Sequence, residues 1–156
     1  MYKRQSQTRI IAPISNESIL PIEIPYNSNA IIFDEIPQFN ILTFKNKLKS
    51  IFKIPIIIFR IFKACYWADH IHLRCPGNVG LLGCFVQIFF PFKKKTVKYA
   101  GNWDPKSKQP LTYRLQKWIV SNTFLTRNCK VLVYGESADQ SNNIVCLLYT
   151  SPSPRD

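Results

Sequence analysis

What the chain has little of narrows its class. Cysteine is sparse, five in 156 residues, far below the density of a disulfide scaffold. No two cysteines form a C-x-x-C pair, which removes the common redox and zinc spacings. There is no Gly-Lys-Ser/Thr phosphate loop, no G-x-G-x-x-G, no serine nucleophile elbow and no recurring solenoid period. No apolar run is long enough for a bilayer. Ile51–Phe62 is broken by Lys53 and Arg60, and Val79–Phe92 falls short of the ~20 residues that hydrocarbon demands. Acidic residues are also few, nine against 21 Lys and Arg, for a net charge of +12.

What remains is enough for one packed domain. A chain that is 46% hydrophobic and 13% aromatic is too apolar for disorder and long enough for a single core.

The two ends read differently from the middle. Met1-Tyr2-Lys3-Arg4-Gln5 can be encoded GTG TAT AAG AGA CAG, and Cys146–Ser151 can be encoded TGT CTC TTA TAC ACA TCT. The reverse complement of the second string contains GTG TAT AAG AGA CA. The pair therefore resembles a translated transposase-type sequencing adapter, and Pro152–Asp156 fits its continuation. Residues 1–5 and 146–156 are expected to be foreign to the parent gene, leaving 6–145 as an internal piece of it. Setting aside Lys3, Arg4, Arg155 and Asp156 removes three cations and one anion, so the basic balance belongs to the remainder.

Along that remainder, β-rich runs alternate with helical ones. Arg9–Ile14 and Ala30–Asp34 read as strands, with a proline-bearing extended connection over Ile19–Tyr26 between them. Thr43 is placed to cap a helix in which Phe44, Leu48, Ile51, Phe52, Ile58 and Phe62 recur at helical spacing. Pro55 is expected to kink it. Asp69–Arg74 reads as a strand, Cys75–Asn78 as a loop, Val79–Phe90 as a buried helix and Thr96–Ala100 as a further strand. A helix opening near Pro110, with Leu111, Leu115, Trp118 and Ile119 on one face, precedes a last strand over Lys130–Tyr134. This alternation predicts an α/β chain with a doubly wound, Rossmann-like parallel sheet.

In such sheets ligands bind beyond the carboxyl ends of the strands, where two loops are chemically rich. In His72-Leu73-Arg74-Cys75-Pro76-Gly77-Asn78, glycine lets backbone approach a ligand and Asn78 is placed to cap the next helix. With Arg74, that helix start suits an anion or sugar hydroxyls. In Tyr99-Ala100-Gly101-Asn102-Trp103-Asp104-Pro105, Trp103 suits a pyranose face and Asn102 and Asp104 its hydroxyls. The competing explanations are ordinary turn chemistry for the first loop, and a packed Trp with a capping Asp for the second. His70 and His72 share a strand face, but no companions complete a metal ligand set. No metal or cofactor is expected. Cys65, Cys75, Cys84 and Cys129 read as reduced, mostly buried residues of a cytosolic protein.

The lysines form the last signal. Lys45, Lys47, Lys49, Lys53 and Lys63 belong to one helix, and Lys93-Lys94-Lys95 follows Phe89-Phe90-Pro91-Phe92. Apolar and aromatic residues beside lysines suit an anionic membrane surface. Nucleic acid is not an expected partner, because no stacking platform or recognition motif accompanies the charge.

Taken together, Ala68–Asn78, Tyr99–Pro105 and Val131-Leu132-Val133-Tyr134-Gly135-Glu136 resemble bacterial glycosyltransferases of the two-domain GT-B type, family-4-like enzymes of cell-surface polysaccharide synthesis. The resemblance runs over nearly all of residues 9–143. It implies an incomplete N-terminal, acceptor-side domain, whose parent transfers a sugar from a nucleotide-sugar to a lipid-linked or saccharide acceptor. It also implies a cytoplasmic place, peripheral on the inner face of the membrane, and a fragment inactive alone. The family's acidic E-x7-E-type motif has no counterpart here. Many relatives carry a histidine in the loop after the strand matching Thr96–Ala100, where this chain has Gly-Asn-Trp-Asp, so no catalytic residue is assigned. The implied substrate-binding set is His72, Arg74, Asn78, Asn102, Trp103 and Asp104. Two other classes fit the same residues: a non-catalytic nucleotide- or phosphate-binding Rossmann-like domain, and a basic membrane-peripheral interaction module.

Overall fold

The computed structural model describes residues 7–13, 29–37, 44–104, 107–134 and 141–147. The Ile19–Tyr26 connection, Thr43 and the loop residues Pro105, Gly135 and Glu136 lie outside that set. So do the side chains of Lys45, Lys47 and Lys49. Two compact units divide the chain at Ala64/Cys65.

In the first unit, strands β1 (Thr8–Pro13) and β2 (Ile31–Ile36) pair in parallel with Thr8 opposite Ile31. Arg9 and Asp34 are adjacent to that register, and their side chains form an ion pair at 2.9 Å. Partial exposure keeps its contribution small. Helix α1 (Phe44–Trp67) runs through Pro55, a position that forfeits one backbone donor. Its carboxyl end enters the second unit.

The second unit is a four-stranded parallel sheet with strand order β3-β4-β5-β6, formed by β3 (His70–Cys75), β4 (Lys94–Tyr99), β5 (Cys129–Tyr134) and β6 (Ile144–Leu147). Helix α2 (Asn78–Val86), continued by a 3-10 turn at Gln87–Phe89, joins β3 to β4. Helix α3 (Leu111–Ser121) joins β4 to β5. Strand order rises in one direction, and right-handed crossovers then place successive helices on one face; α2 and α3 do pack against each other. The α/β class and parallel pairing thus match the sequence. The boundary expected after residue 145 falls inside β6, a strand that the sequence pattern did not reveal.

Alternation sorts the side chains of this sheet. Ile71, Leu73, Cys75, Val97, Tyr99, Val131, Val133 and Ile144 are buried on the face that carries the helices, while His70, His72 and Arg74 are exposed on the other. Parallel sheets are normally covered on both faces and read as continuous apolar runs. Here β3 and β4 alternate, because one face is cationic. At a seam of the covered face, Gln87 Nε2 donates to Thr126 Oγ1 at 2.9 Å, and Thr126 Oγ1 donates to the Ile119 carbonyl at 2.8 Å.

Helix α3 corrects the expected face. Gln116, Ile119 and Val120 are buried, whereas Leu111, Leu115 and Trp118 are exposed at 77%, 38% and 59%. The apolar residues at i, i+4 and i+7 suggested the core face, but the helix is rotated so that Gln116 turns inward, where its side chain meets polar partners on both ends. The lysine run is corrected too. Lys95 is buried and donates to the Arg127 carbonyl at 2.8 Å, while Lys93 donates to the carbonyls of Tyr66 and Ala68. Only Lys94 of the three keeps the exposed character expected of a solvated run.

Candidate functional site at the carboxyl edge of the sheet

Parallel pairing of β3 with β4, Cys75 opposite Tyr99, sends the loops after both strands out at the same edge. They are joined there. The Ala100 amide donates to the Cys75 carbonyl at 2.6 Å, and a Cβ at Gly101 would stand 3.1 Å from the Pro76 ring. The Tyr99 ring is nearer still, at 2.9 Å, so a side chain at 101 would have to displace both rings.

Two glutamines that the sequence reading missed brace the pair. Buried Gln116 accepts the Gly77 amide on Oε1 at 3.2 Å and donates from Nε2 to the Thr112 carbonyl at 3.2 Å. Gln109 accepts from the Tyr99 hydroxyl at 3.2 Å and donates to the Asn102 carbonyl and to Ser107 Oγ. Nothing in the residue type distinguishes these glutamines from surface ones. Only its spacing, three and four residues before Ile119 and Val120 on the same helix face, could have marked Gln116.

The six expected residues do not all converge. Asn102 and Asp104 are exposed on the second loop, where Asn102 Oδ1 accepts the Asp104 amide at 2.9 Å in a local turn. Ser107 Oγ in turn donates to the Asp104 carbonyl at 2.8 Å. Asn78 lies at the same edge, but as the first residue of α2. The cap position belongs to Gly77, without a side-chain cap bond. A one-residue difference in where the helix begins moves Asn78 out of the capping role. Intrahelical pairing begins with the Leu81 amide on the Gly77 carbonyl at 2.8 Å, so the amides of 78–80 make up the positive start of the helix.

Trp103 is the clearest correction. It is only 3% exposed, meets Tyr99 edge-on with ring centroids 4.9 Å apart at 82°, and carries the Lys117 ammonium 4.8 Å from its ring centroid. Lys117 also donates to the Trp103 carbonyl. The indole anchors its loop to α3 and presents no open face to a sugar.

His72 and Arg74 lie on the opposite face of the sheet from α2, because β3 alternates and Cys75 takes the covered side. Arg74 therefore stands in register beside Lys98 instead of joining the start of α2. On that face His70 Nε2 is 2.9 Å from Thr96 Oγ1, and the Lys98 ammonium lies 5.6 Å from the Tyr134 ring centroid. Although His72 is exposed overall, desolvation of its imidazole, reinforced by His70 and Lys98, pushes it below its ordinary value of 6.5. It is consequently neutral at physiological pH. Among the described residues, no group of three or more His, Cys, Asp or Glu comes together as a metal site.

Beneath the first loop, Cys75 and Cys84 are buried with their sulfurs 3.6 Å apart, and both are free thiols. Gly80 packs still tighter: a Cβ there would stand 2.5 Å from the Arg74 carbonyl oxygen. Backbone cannot yield as a flexible side chain can. Gly80→Ala should therefore lower unfolding free energy by about 1–3 kcal/mol. Gly77→Ala, where nothing lies within 4 Å, should leave the urea midpoint near wild type. Equal midpoints for the two variants would contradict this packing.

Comparison with protein-family models, with curated proteins and with solved structures returns no match.

Proposed function

We propose that the chain is part of the acceptor-side domain of a GT-B type glycosyltransferase. Its parent would transfer a sugar from a nucleotide-sugar to a saccharide or lipid-linked acceptor at the inner face of the cytoplasmic membrane. The observation that carries the reading is the joined pair of loops at one edge of a parallel sheet, tied by the Ala100–Cys75 backbone bond. A rigid polar ledge with Asn102, Asp104 and Asn78 on it suits hydroxyl recognition. In this reading the sheet is half of a doubly wound domain, and a second domain holds the donor. Transfer passes through an oxocarbenium-like state, with the leaving diphosphate met by cationic groups. Asp104 would accept an acceptor hydroxyl's hydrogen bond, Asn102 would donate one, and Trp103 would position their loop from within the core.

Two measurements test this. Calorimetry of the isolated chain with a panel of nucleotide-sugars should give no saturable heat, since the donor half is elsewhere. In the complete parent enzyme, Asp104→Asn should reduce kcat/KM for the acceptor by about tenfold to a hundredfold, the ~1–3 kcal/mol of one polar partner left unmatched, with an unchanged melting temperature. Tight nucleotide binding by the chain alone would overturn the assignment. It would favour a phosphate-binding domain, a reading supported by the cationic sheet face of Arg74, Lys98 and Lys130.

A further inference from the structure

The opposite edge of the second unit carries a surface of another kind. All helix-to-strand connections of a parallel sheet emerge at the amino ends of the strands, and here three of them meet. The first is the end of α1 with Tyr66 and Trp67, the second the turn Phe89–Lys93, and the third the segment Phe124–Asn128. Polar contacts knit them together. The Lys93 ammonium donates to the Ala68 carbonyl at 2.6 Å and lies 5.8 Å from the Tyr66 ring centroid. Asn128 Nδ2 donates to the Pro91 carbonyl at 2.9 Å, and the Lys95 amide to the Asn128 carbonyl at 2.9 Å.

On this scaffold large aromatic rings face water. Phe92 is 90% exposed, Tyr66 73%, Phe89 and Phe124 72% each, and Trp67 44%. Scattered exposed rings are ordinary; several gathered at one edge mark a contact surface. Their neighbours decide what kind. Exposed Lys94 and Lys130 flank the rings, and the Arg127 guanidinium sits 4.8 Å from the Phe124 ring centroid. The same three segments, extended to Lys95 and Lys130, contain one acidic residue, Asp69. Rings carried at separate turn tips among cations match the aromatic and basic anchoring found at lipid headgroups. The core of a protein interface is instead depleted of charge.

We infer that this amino edge, through Phe89, Phe92 and Phe124 with Lys94 and Arg127, docks the protein on an anionic bilayer surface. The docking deepens the membrane-peripheral place of the proposed function and rests on that reading. It uses none of the residues at the carboxyl edge, so loss of vesicle binding and loss of acceptor recognition are separable. It rests on ring insertion at headgroup depth plus attraction between the cations and anionic lipid.

Co-sedimentation of the full chain with vesicles tests this, using phosphatidylcholine alone and phosphatidylcholine mixed with phosphatidylglycerol. Binding should require the anionic lipid and weaken as salt rises. Phe89→Ala/Phe92→Ala and, separately, Lys94→Glu/Arg127→Glu should each lower the partition coefficient about tenfold. Their circular dichroism should remain that of wild type, because these side chains are exposed or half-exposed. Unchanged sedimentation of both variants would overturn the inference. So would concentration-dependent self-association that the double phenylalanine variant abolishes without any vesicle effect, since the occupant would then be a second copy of the chain.

Discussion

Trp103→Ala should destabilise the fold by about 3–5 kcal/mol, the usual cost of truncating a buried tryptophan, and not merely weaken a ligand contact. The indole fills the space between Tyr99 and the Lys117 stem. Its removal takes away the edge-on ring contact and the cation above the ring, and leaves a cavity under the second loop. Chemical denaturation should show the loss directly. Trp103→Phe should recover part of it, because a smaller ring still meets Tyr99. A variant with wild-type midpoint and altered ligand affinity would return Trp103 to the open position that its sequence context suggested.

The second large effect is alkaline. Burial raises the Cys65 and Cys129 thiols from an ordinary value of 9.0 to about 11, the nearby Lys95 charge offsetting this in part. Burial also raises the Tyr99 hydroxyl from 10.0 to about 12. Between pH 9 and 11 the unfolded chain releases the two thiol protons while the folded chain keeps them. The unfolded state then binds fewer protons, and stability falls as pH rises through that window. Each thiol contributes on the order of 2–3 kcal/mol, at about 1.4 kcal/mol per pH unit. Lys95 has the opposite sign. Burial lowers its ammonium below 10.5, so the folded state releases that proton first and regains some stability up to 10.5. Urea titrations under reducing conditions should show a net decline from pH 9 to 11, flattened in Cys65→Ala/Cys129→Ala. A pH-independent midpoint across that range in the wild-type chain would refute the burial of these thiols.

Sequence pattern located most of the second unit for identifiable reasons. β3 was legible because Ile71, Leu73 and Cys75 alternate with His70, His72 and Arg74, and β5 because Val131 and Val133 are β-branched and apolar. β6 was not, since Ile144–Leu147 is only four residues long, too short for a period to declare itself, and overlaps residues that invite a different origin. Hydrophobicity alone points to the wrong face of α3, because hydrogen bonding decides which side turns inward. Gln116 is a better core residue than Leu115 once the Gly77 amide and the Thr112 carbonyl are there to meet it. Topology alone places the two loops at one edge, since β3 and β4 are parallel neighbours. Whether a residue on them points outward is a matter of packing, and composition cannot separate a stacking tryptophan from an anchoring one.

The rising strand order β3-β4-β5-β6 has a consequence in time as well as in space. Each of these strands after the first pairs with the one made just before it, so none of them must be threaded between two strands already paired. The joined loops gain most from this. Cys75 and Ala100 are brought together by the first crossover alone, and Gln116 arrives within the next helix to brace them. Synthesis delivers domains from the amino end at about 5–20 residues per second, and short sequence separations close at low entropic cost. The ledge can thus assemble while the remainder of the sheet is still being translated.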